Sequence, residues 1–333
     1  MENYKAMLVT ENENGEFTRG ITERNKEGLP QNDVEINVKY SSLNYKDALS
    51  ASGNKGVTRK YPHTPGIDAA GVVTQSNDPR FNIGDKVLVT GYDLGMNTFG
   101  GFSEYIRVPG DWIVNLPDKL SLRDSMIYGT AGFTAALSVM KLIKNGVHPG
   151  DGEILVTGAT GGVGSMAVAI LKKLNYEVIA LTGKPEQKEK LVQMGAKDII
   201  TREEFYDDSK RPLIKGRWAG VVDTVGGLAL ETALKSTEYG GSVTCCGNVA
   251  DHRLTTTVYP FILRGVSLLG VDSVQCSMKM RQEVWNMLAA EWKPNNFGEN
   301  VAEIPLEKLN DKIALMLAGK LSGRTIINLE LDI

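Results

Sequence analysis

Ile154-Leu-Val-Thr157 running into Gly158-Ala-Thr-Gly-Gly-Val-Gly164 decides the fold of this chain. Its first residues form a short, continuous apolar run of β-forming side chains, the pattern of a strand buried on both faces. After the glycines, Val163, Met166, Ala167, Ile170, Leu171 and Leu174 recur at i, i+3, i+4, i+7, i+8 and i+11, one face of an amphipathic helix. Strand, glycine turn and helix in succession make a dinucleotide cradle. Glycines permit a tight turn and a close backbone approach, and the helix N-terminus offers amides to a pyrophosphate. The spacing is Gly158-x-x-Gly161-x-x-Gly164 with Gly162 in addition, which departs from the strict G-x-G-x-x-G fingerprint. The competing reading is a turn that merely packs a helix on a sheet; the flanking periodicities favour the cradle. Gly158, Thr160, Gly161, Gly162, Val163 and Gly164 are therefore cofactor-binding candidates.

Outward from this unit, helices and strands alternate from Leu122 onward. A helix is expected over Ser125–Lys144, capped near Ser121 and interrupted around Gly129–Gly132. Further strands are expected at Val178–Thr182, Asp198–Thr201, Gly220–Asp223, Ser242–Cys246 and Ser267–Val271. Pro185 and Gly195 bracket a helix with the proline-first, glycine-last asymmetry of helix ends. Short strands with helical connections indicate α/β architecture with a doubly wound parallel sheet. Residues 1–122 read differently. Val34, Ile36, Val38 and Tyr40 alternate with polar residues, and short strands at Ala6–Thr10, Gly71–Thr74, Lys86–Thr90 and Glu104–Val108 are separated by Pro and Gly turns. A last helix near Leu306–Ala318 and a strand at Arg324–Leu331 are expected to rejoin this first domain, leaving a cleft. The expected division is 1–122 plus 297–333 for a β-rich domain and 123–296 for a Rossmann domain.

Composition bounds the function. At 333 residues the chain is long enough for two cores, and 37 basic against 40 acidic residues argue against a general nucleic-acid binder. Cys245, Cys246 and Cys276 supply neither a disulfide framework nor a four-thiolate zinc site. The N-terminal stretch carries Glu2, Glu11 and Glu13 in place of an apolar signal core, and no run of 18 apolar residues occurs. A cytoplasmic protein with no membrane partner is expected.

Several stretches carry a resemblance: Ser41-Ser-Leu-Asn-Tyr-Lys-Asp-Ala-Leu49, Pro65-Gly-Ile-Asp-Ala-Ala-Gly71, Gly129-Thr-Ala-Gly-Phe-Thr-Ala135, Val222-Asp-Thr-Val-Gly-Gly227 and Pro260-Phe-Ile-Leu-Arg-Gly-Val-Ser-Leu-Leu-Gly270. From Tyr4 to Asn328 the chain resembles the medium-chain dehydrogenase/reductase superfamily, in its zinc-independent quinone-oxidoreductase branch, within the group of quinone oxidoreductases and acryloyl-CoA reductases. The resemblance implies a GroES-like catalytic domain beside the Rossmann domain, a homodimer, and residues around the nicotinamide and substrate at Asn44, Tyr45, Asp47 and Thr130. Zinc relatives place a cysteine where Asn44 stands and a His-Glu pair where this chain has Ile67-Asp68, and Asn and Ile are poor zinc ligands. No metal is expected. Related mitochondrial enoyl reductases carry a tyrosine in a Gly-Asn-Tyr-Gly loop; this chain reads Gly53-Asn-Lys-Gly56 and lacks it, so solvent is left as the proton source.

The nicotinamide type is read at the second strand. An NAD site places an acidic residue at that strand's tip for the ribose 2′-OH. Here Val178-Ile-Ala-Leu181 ends in Thr182-Gly183-Lys184, and a hydroxyl with an ammonium suits a 2′-phosphate, so NADPH is expected. Solvated surface lysines are the alternative. Asp223 and Cys246-Gly247-Asn248 end sheet strands, on the edge where open α/β sheets bind ligands.

Without a metal to polarise an alcohol, the expected chemistry is hydride addition to the double bond of an α,β-unsaturated carbonyl, foremost a short enoyl-CoA such as acryloyl-CoA. The resulting enolate needs hydrogen-bond donors, for which Asn44 and Tyr45 are candidates, with Asp47 orienting its neighbours. Tyr45 and Arg324 are candidate substrate contacts, Arg324 with Arg59 and Lys60 for the coenzyme A phosphates. Quinone reduction by the same hydride donor is the second reading, and a non-catalytic NADPH-binding redox sensor the third.

Overall fold

The computed structural model describes residues 2–295, 298, 299 and 301–331. In chain order the strands are β1 (Asn3–Glu11), β2 (Phe17–Asn25), β3 (Val34–Ser42), β4 (Asp68–Ser76), β5 (Lys86–Thr90), β6 (Tyr105–Val108), β7 (Ile113–Asn115), β8 (Glu153–Thr157), β9 (Glu177–Thr182), β10 (Asp198–Thr201), β11 (Trp218–Asp223), β12 (Thr237–Cys245), β13 (Ser267–Gly270), β14 (Val301–Ile304) and β15 (Arg324–Asn328). Contacts divide the chain into two units: Met1–Thr130 with Val274–Ala289 and Gly298–Ile333, and Ala131–Ser273 with Ala290–Phe297.

In the first unit a seven-stranded sheet runs β14-β15-β3-β4-β5-β7, with β6 also paired to β3, and β1 and β2 form a separate antiparallel hairpin. The period-two pattern of β3 works as expected. Val34, Ile36 and Val38 turn inward onto Ala69, Val73, Val87, Val89, Ile106 and Val108. Burying each such side chain contributes about 1.5–3 kcal/mol. β15 pairs with β3 through Ile326↔Ser42 and Ile327↔Ser41, so the last strand does rejoin the first domain.

In the second unit six parallel strands run β10-β9-β8-β11-β12-β13. β8 lies between β9 and β11, where the winding changes direction, and ligands of open α/β sheets bind at such a switch point. The continuous apolar run read from sequence is buried: Ile154, Leu155 and Val156 are inaccessible to solvent.

One helix, Leu122–Lys144, runs from the first unit into the second and breaks at Gly129, whose φ of 50° and ψ of −157° are not helical. Its start is capped as expected, with the Asp124 amide donating to Ser121 Oγ at 2.9 Å.

Candidate active site

In the first unit, one group of candidate residues grows from the end of β3. Asn44 follows the strand, and Tyr45–Ser50 turns into a short helix. Asp47, inaccessible to solvent, accepts from the Asn44 amide at 2.8 Å with Oδ2 and from the Ile67 amide at 2.8 Å with Oδ1. Its carboxylate thus ties the helix start to the segment that enters β4. Burial, and then the neighbouring Asp68, raise the Asp47 carboxyl to about 7.

Asp68, the first residue of β4, is the hub. It is inaccessible to solvent and accepts from Ser42 Oγ at 2.5 Å, Asn44 Nδ2 at 2.7 Å, the Thr130 amide at 2.9 Å and Thr130 Oγ1 at 2.6 Å. Arg324 closes the knot from β15. It donates to the Ile127 and Met126 carbonyls at 2.9 and 3.4 Å, to Ser42 Oγ at 2.9 Å and to Asn44 Oδ1 at 3.3 Å. The break at Gly129 strips these helical carbonyls and the Thr130 amide of their usual partners, and Arg324 and Asp68 supply replacements. Gly129 is required twice over: its φ is positive, and a Cβ there would collide with Ser42, Asp68 and Arg324.

This geometry corrects two expectations. Arg324 is 4% exposed and spent on the knot, so it cannot reach outward to coenzyme A phosphates. Asn44 is spent as well, with its amide nitrogen on Asp68, Asp47 and the Ser42 carbonyl and its oxygen facing Arg324, so it is not the expected enolate donor. Tyr45 differs. It is 47% exposed, and its hydroxyl has no hydrogen bond among the described residues. Arg59 and Lys60 are exposed.

In the second unit, a separate group of candidates lies at the C-terminal ends of β8, β9, β11 and β12. Gly158 takes a φ of 59°, and a Cβ there would strike Thr224 and Val225 from the neighbouring strand end. Gly164 packs so closely on the Gly158 carbonyl that a Cβ would not fit. The helix Gly162–Lys173 starts at Gly161 with no side-chain cap and no acidic residue in its first turn, which suits an anion on its amides. Gly247 presses on the Thr224 carbonyl in the same way, and Asn248 beyond it is exposed. This is a backbone cradle that fits a dinucleotide.

Asp223 does not point into the cradle. Its carboxylate, inaccessible to solvent, accepts from Thr157 Oγ1 at 2.7 Å and the Gly226 amide at 2.9 Å, so it acts by holding Thr224 and Val225 against the glycine turn. Burial raises its carboxyl above the usual range. The Cys246 thiol donates to the Asp223 carbonyl at 3.3 Å, and burial together with Asp223 pushes it up to about 12.

At the tip of β9, Thr182 Oγ1 accepts from the Lys184 amide at 3.0 Å and lies 3.4 Å from Thr160 Oγ1. The Arg202 guanidinium packs against Gly183, where a Cβ would come within 2.6 Å of its Cζ. Arg202 was not among the sequence candidates. It follows β10, and Thr201 pairs with Thr182, so only knowledge of the strand order brings it to this tip. Asp68 was also missed, although a carboxylate inside the apolar stretch Ile67–Gly71 signals a buried, hydrogen-bonded charge.

A Rossmann unit with a glycine cradle, joined to a β-rich unit of this topology, defines a nicotinamide-dependent oxidoreductase. Residues 30–118 match the family described as alcohol dehydrogenase GroES-like domain, and residues 162–290 match that described as zinc-binding dehydrogenase. A Bacillus subtilis protein named as the quinone oxidoreductase YhfP is 49% identical over 91% of this chain and 92% of its own length. Its solved structure, with NAD bound, has a TM-score of 0.96 at 46% identity, covering 99% of this chain and 100% of that one. The acrylyl-CoA reductase AcuI of Ruegeria pomeroyi is 42% identical over 98% of this chain and 99% of its own. Escherichia coli YhdH with bound NADPH has a TM-score of 0.94 at 44% identity, covering 98% and 100%. The chain belongs to the medium-chain dehydrogenase/reductase superfamily, in its zinc-independent quinone-oxidoreductase branch. The zinc in the family description finds no fit at the catalytic position, where Asn44 is fully hydrogen-bonded and Ile67 is apolar.

Proposed function

We propose that this protein is an NADPH-dependent, metal-free reductase of α,β-unsaturated carbonyl compounds, foremost a short enoyl-CoA. The observation that supports NADPH is the tip of β9, where Lys184 and Arg202 gather and Thr182-Gly183 carries no carboxylate. Such a tip suits the 2′-phosphate through charge-assisted hydrogen bonds. When bound, the cofactor supplies a hydride for the β-carbon of the double bond. The chain's own part is to hold and to donate. Gly158, Gly161, Gly162, Gly164 and Gly247 admit the pyrophosphate and ribose to the backbone, and Val163 and Asn248 flank them. Thr130 meets the nicotinamide. Tyr45 donates its hydroxyl hydrogen to the carbonyl oxygen as negative charge develops there, and solvent protonates the α-carbon. Asp47 orients the helix that carries Tyr45. Arg59 and Lys60, exposed on the surface, are the cations left for coenzyme A phosphates.

The name of the Ruegeria relative supports the enoyl thioester. That of the Bacillus relative supports quinone reduction as the second reading. The deciding experiment follows NADPH absorbance with acryloyl-CoA, crotonyl-CoA and a set of quinones. Turnover of the CoA esters, with Tyr45→Phe lowering kcat about 10²-fold, is the expected result. Efficient quinone turnover with inert CoA esters would replace the first reading by the second, and NADPH binding without any turnover would leave the redox-sensor reading.

A homodimer is part of the same proposal. β13 is one of the two edge strands of the parallel sheet, and Val258, Ile262 and Leu263 just before it in the chain are 62%, 67% and 56% exposed, an apolar face that a second copy would cover.

A further inference from the structure

The four hydrogen bonds that Asp68 makes all run toward its carboxylate. Ser42 Oγ, Asn44 Nδ2 and the Thr130 amide converge on Asp68 Oδ2, at 2.5, 2.7 and 2.9 Å, and Thr130 Oγ1 lies 2.6 Å from Oδ1. A threonine hydroxyl has a single hydrogen. With that hydrogen given to Asp68, Thr130 meets any other group only as an acceptor. Asn44 has given its hydrogens to the same carboxylate and to Asp47.

We propose that Asp68 is a positioning residue of the reductase site, one that fixes Thr130 as the hydrogen-bond acceptor for the carboxamide N–H of a bound nicotinamide and withdraws Asn44 from the ligand. The inference rests on the reading of Thr130 as a nicotinamide contact. A carboxylate is essential to it because it has no hydrogen to give, so every neighbour must donate inward. Asp68→Asn preserves the shape and changes this direction. Its amide nitrogen at the Oδ2 position would face three donors, whereas at the Oδ1 position it faces a single hydroxyl, which can turn round. The variant therefore donates to Thr130 Oγ1 and sends the threonine hydrogen outward, where it opposes the ligand's own N–H. Gly129 keeps Thr130 at this distance, since no larger residue fits between Ser42, Asp68 and Arg324.

The test is a cycle of substitutions read in the NADPH dissociation constant, by fluorescence titration of the full chain. Thr130→Val and Thr130→Ser are each made with Asp68 intact and with Asp68→Asn. With Asp68 intact, the valine variant should bind about fivefold more weakly than the serine variant, the worth of one ordinary hydrogen bond. With Asp68→Asn the gap should close to within about twofold, because the retained hydroxyl now faces the wrong way. A gap of the same size in both backgrounds would show that Asp68 is merely structural and overturn the inference. Equal binding by the valine and serine variants with Asp68 intact would overturn it too, and that comparison needs no Asp68 variant to fold. A wild-type chain that fails to bind NADPH removes the cofactor reading itself; one that binds NADPH without the serine–valine gap removes only the inference.

Discussion

Lys184 and Arg202 approach one strand tip from different segments, and the proposed reading of the 2′-phosphate turns on them. Replacing either by alanine should weaken NADPH binding by about 1.5–3 kcal/mol, the worth of a hydrogen bond to a charged group, while NADH binding stays nearly unchanged. Equal losses for both cofactors in a titration would show that the tip does not read the phosphate. A second residue carries a pH dependence. His63 is 2% exposed, its Nε2 has no partner among the described residues, and burial lowers its pKa from 6.5. Below pH 6.5 the unfolded chain binds a proton that the folded chain refuses, so stability falls as the pH falls toward the lowered folded value. The slope from this group is at most about 1.4 kcal/mol per pH unit, and above pH 6.5 it vanishes. Asp47 works in the opposite sense, since its raised carboxyl costs stability as pH rises toward about 7. The His63 share is therefore isolated by comparing melting curves of wild type and His63→Phe across pH. The variant should lose less stability on the acid side, and parallel curves would refute the assignment.

At the scale of the element, the broken helix Leu122–Lys144 offers a contrast between two substitutions. Gly129→Ala meets both a positive φ and a filled space, and should destabilise by about 3 kcal/mol or more in denaturant unfolding. Ser121→Ala removes the cap from the same helix and should cost about 1 kcal/mol. Similar losses for the two would show that the kink is not the constrained point. The elements differ in how far sequence exposes them. All six strands of the parallel sheet were legible, the inner β8, β9 and β11 because strands buried on both faces are written as continuous apolar runs. β2 was not: Phe17–Asn25 lies half-exposed and alternates only weakly. Nor were β7 and β14: Ile113–Asn115 spans only three residues, and Val301–Ile304 shows no alternation of inner and outer positions. The glycine cradle was legible because backbone geometry demands specific residues. The knot was only partly so, since its bonds join β3, β4, β15 and the helix break. Arg324 reads in sequence as a solvated cation, yet every residue of its strand is buried.

For the whole molecule, composition and burial together decide what single segments leave open. An 18-residue window of the helix Leu122–Lys144 has a mean hydropathy of 1.4, enough to cross a membrane by length and composition, yet 83% of it is buried within the protein. It is a core helix. The same whole-chain view bears on metal. With Asn44 and Ile67 in place of ligands, purified protein should carry far less than one zinc per chain and keep its activity under chelators. Stoichiometric zinc by elemental analysis, lost together with activity, would contradict this. The closure of the knot by β15 has a last consequence, in time. Ser42 and Arg324, which bond at 2.9 Å, stand 282 residues apart in sequence. A ribosome therefore delivers Asp47 and Asp68 long before the buried cation whose charge they both favour. The edge of β3 that β15 covers stays open until Arg324–Asn328 has been made. The cradle strands β8 and β9, by contrast, pair with each other and are neighbours in the chain, so their pairing needs no such wait.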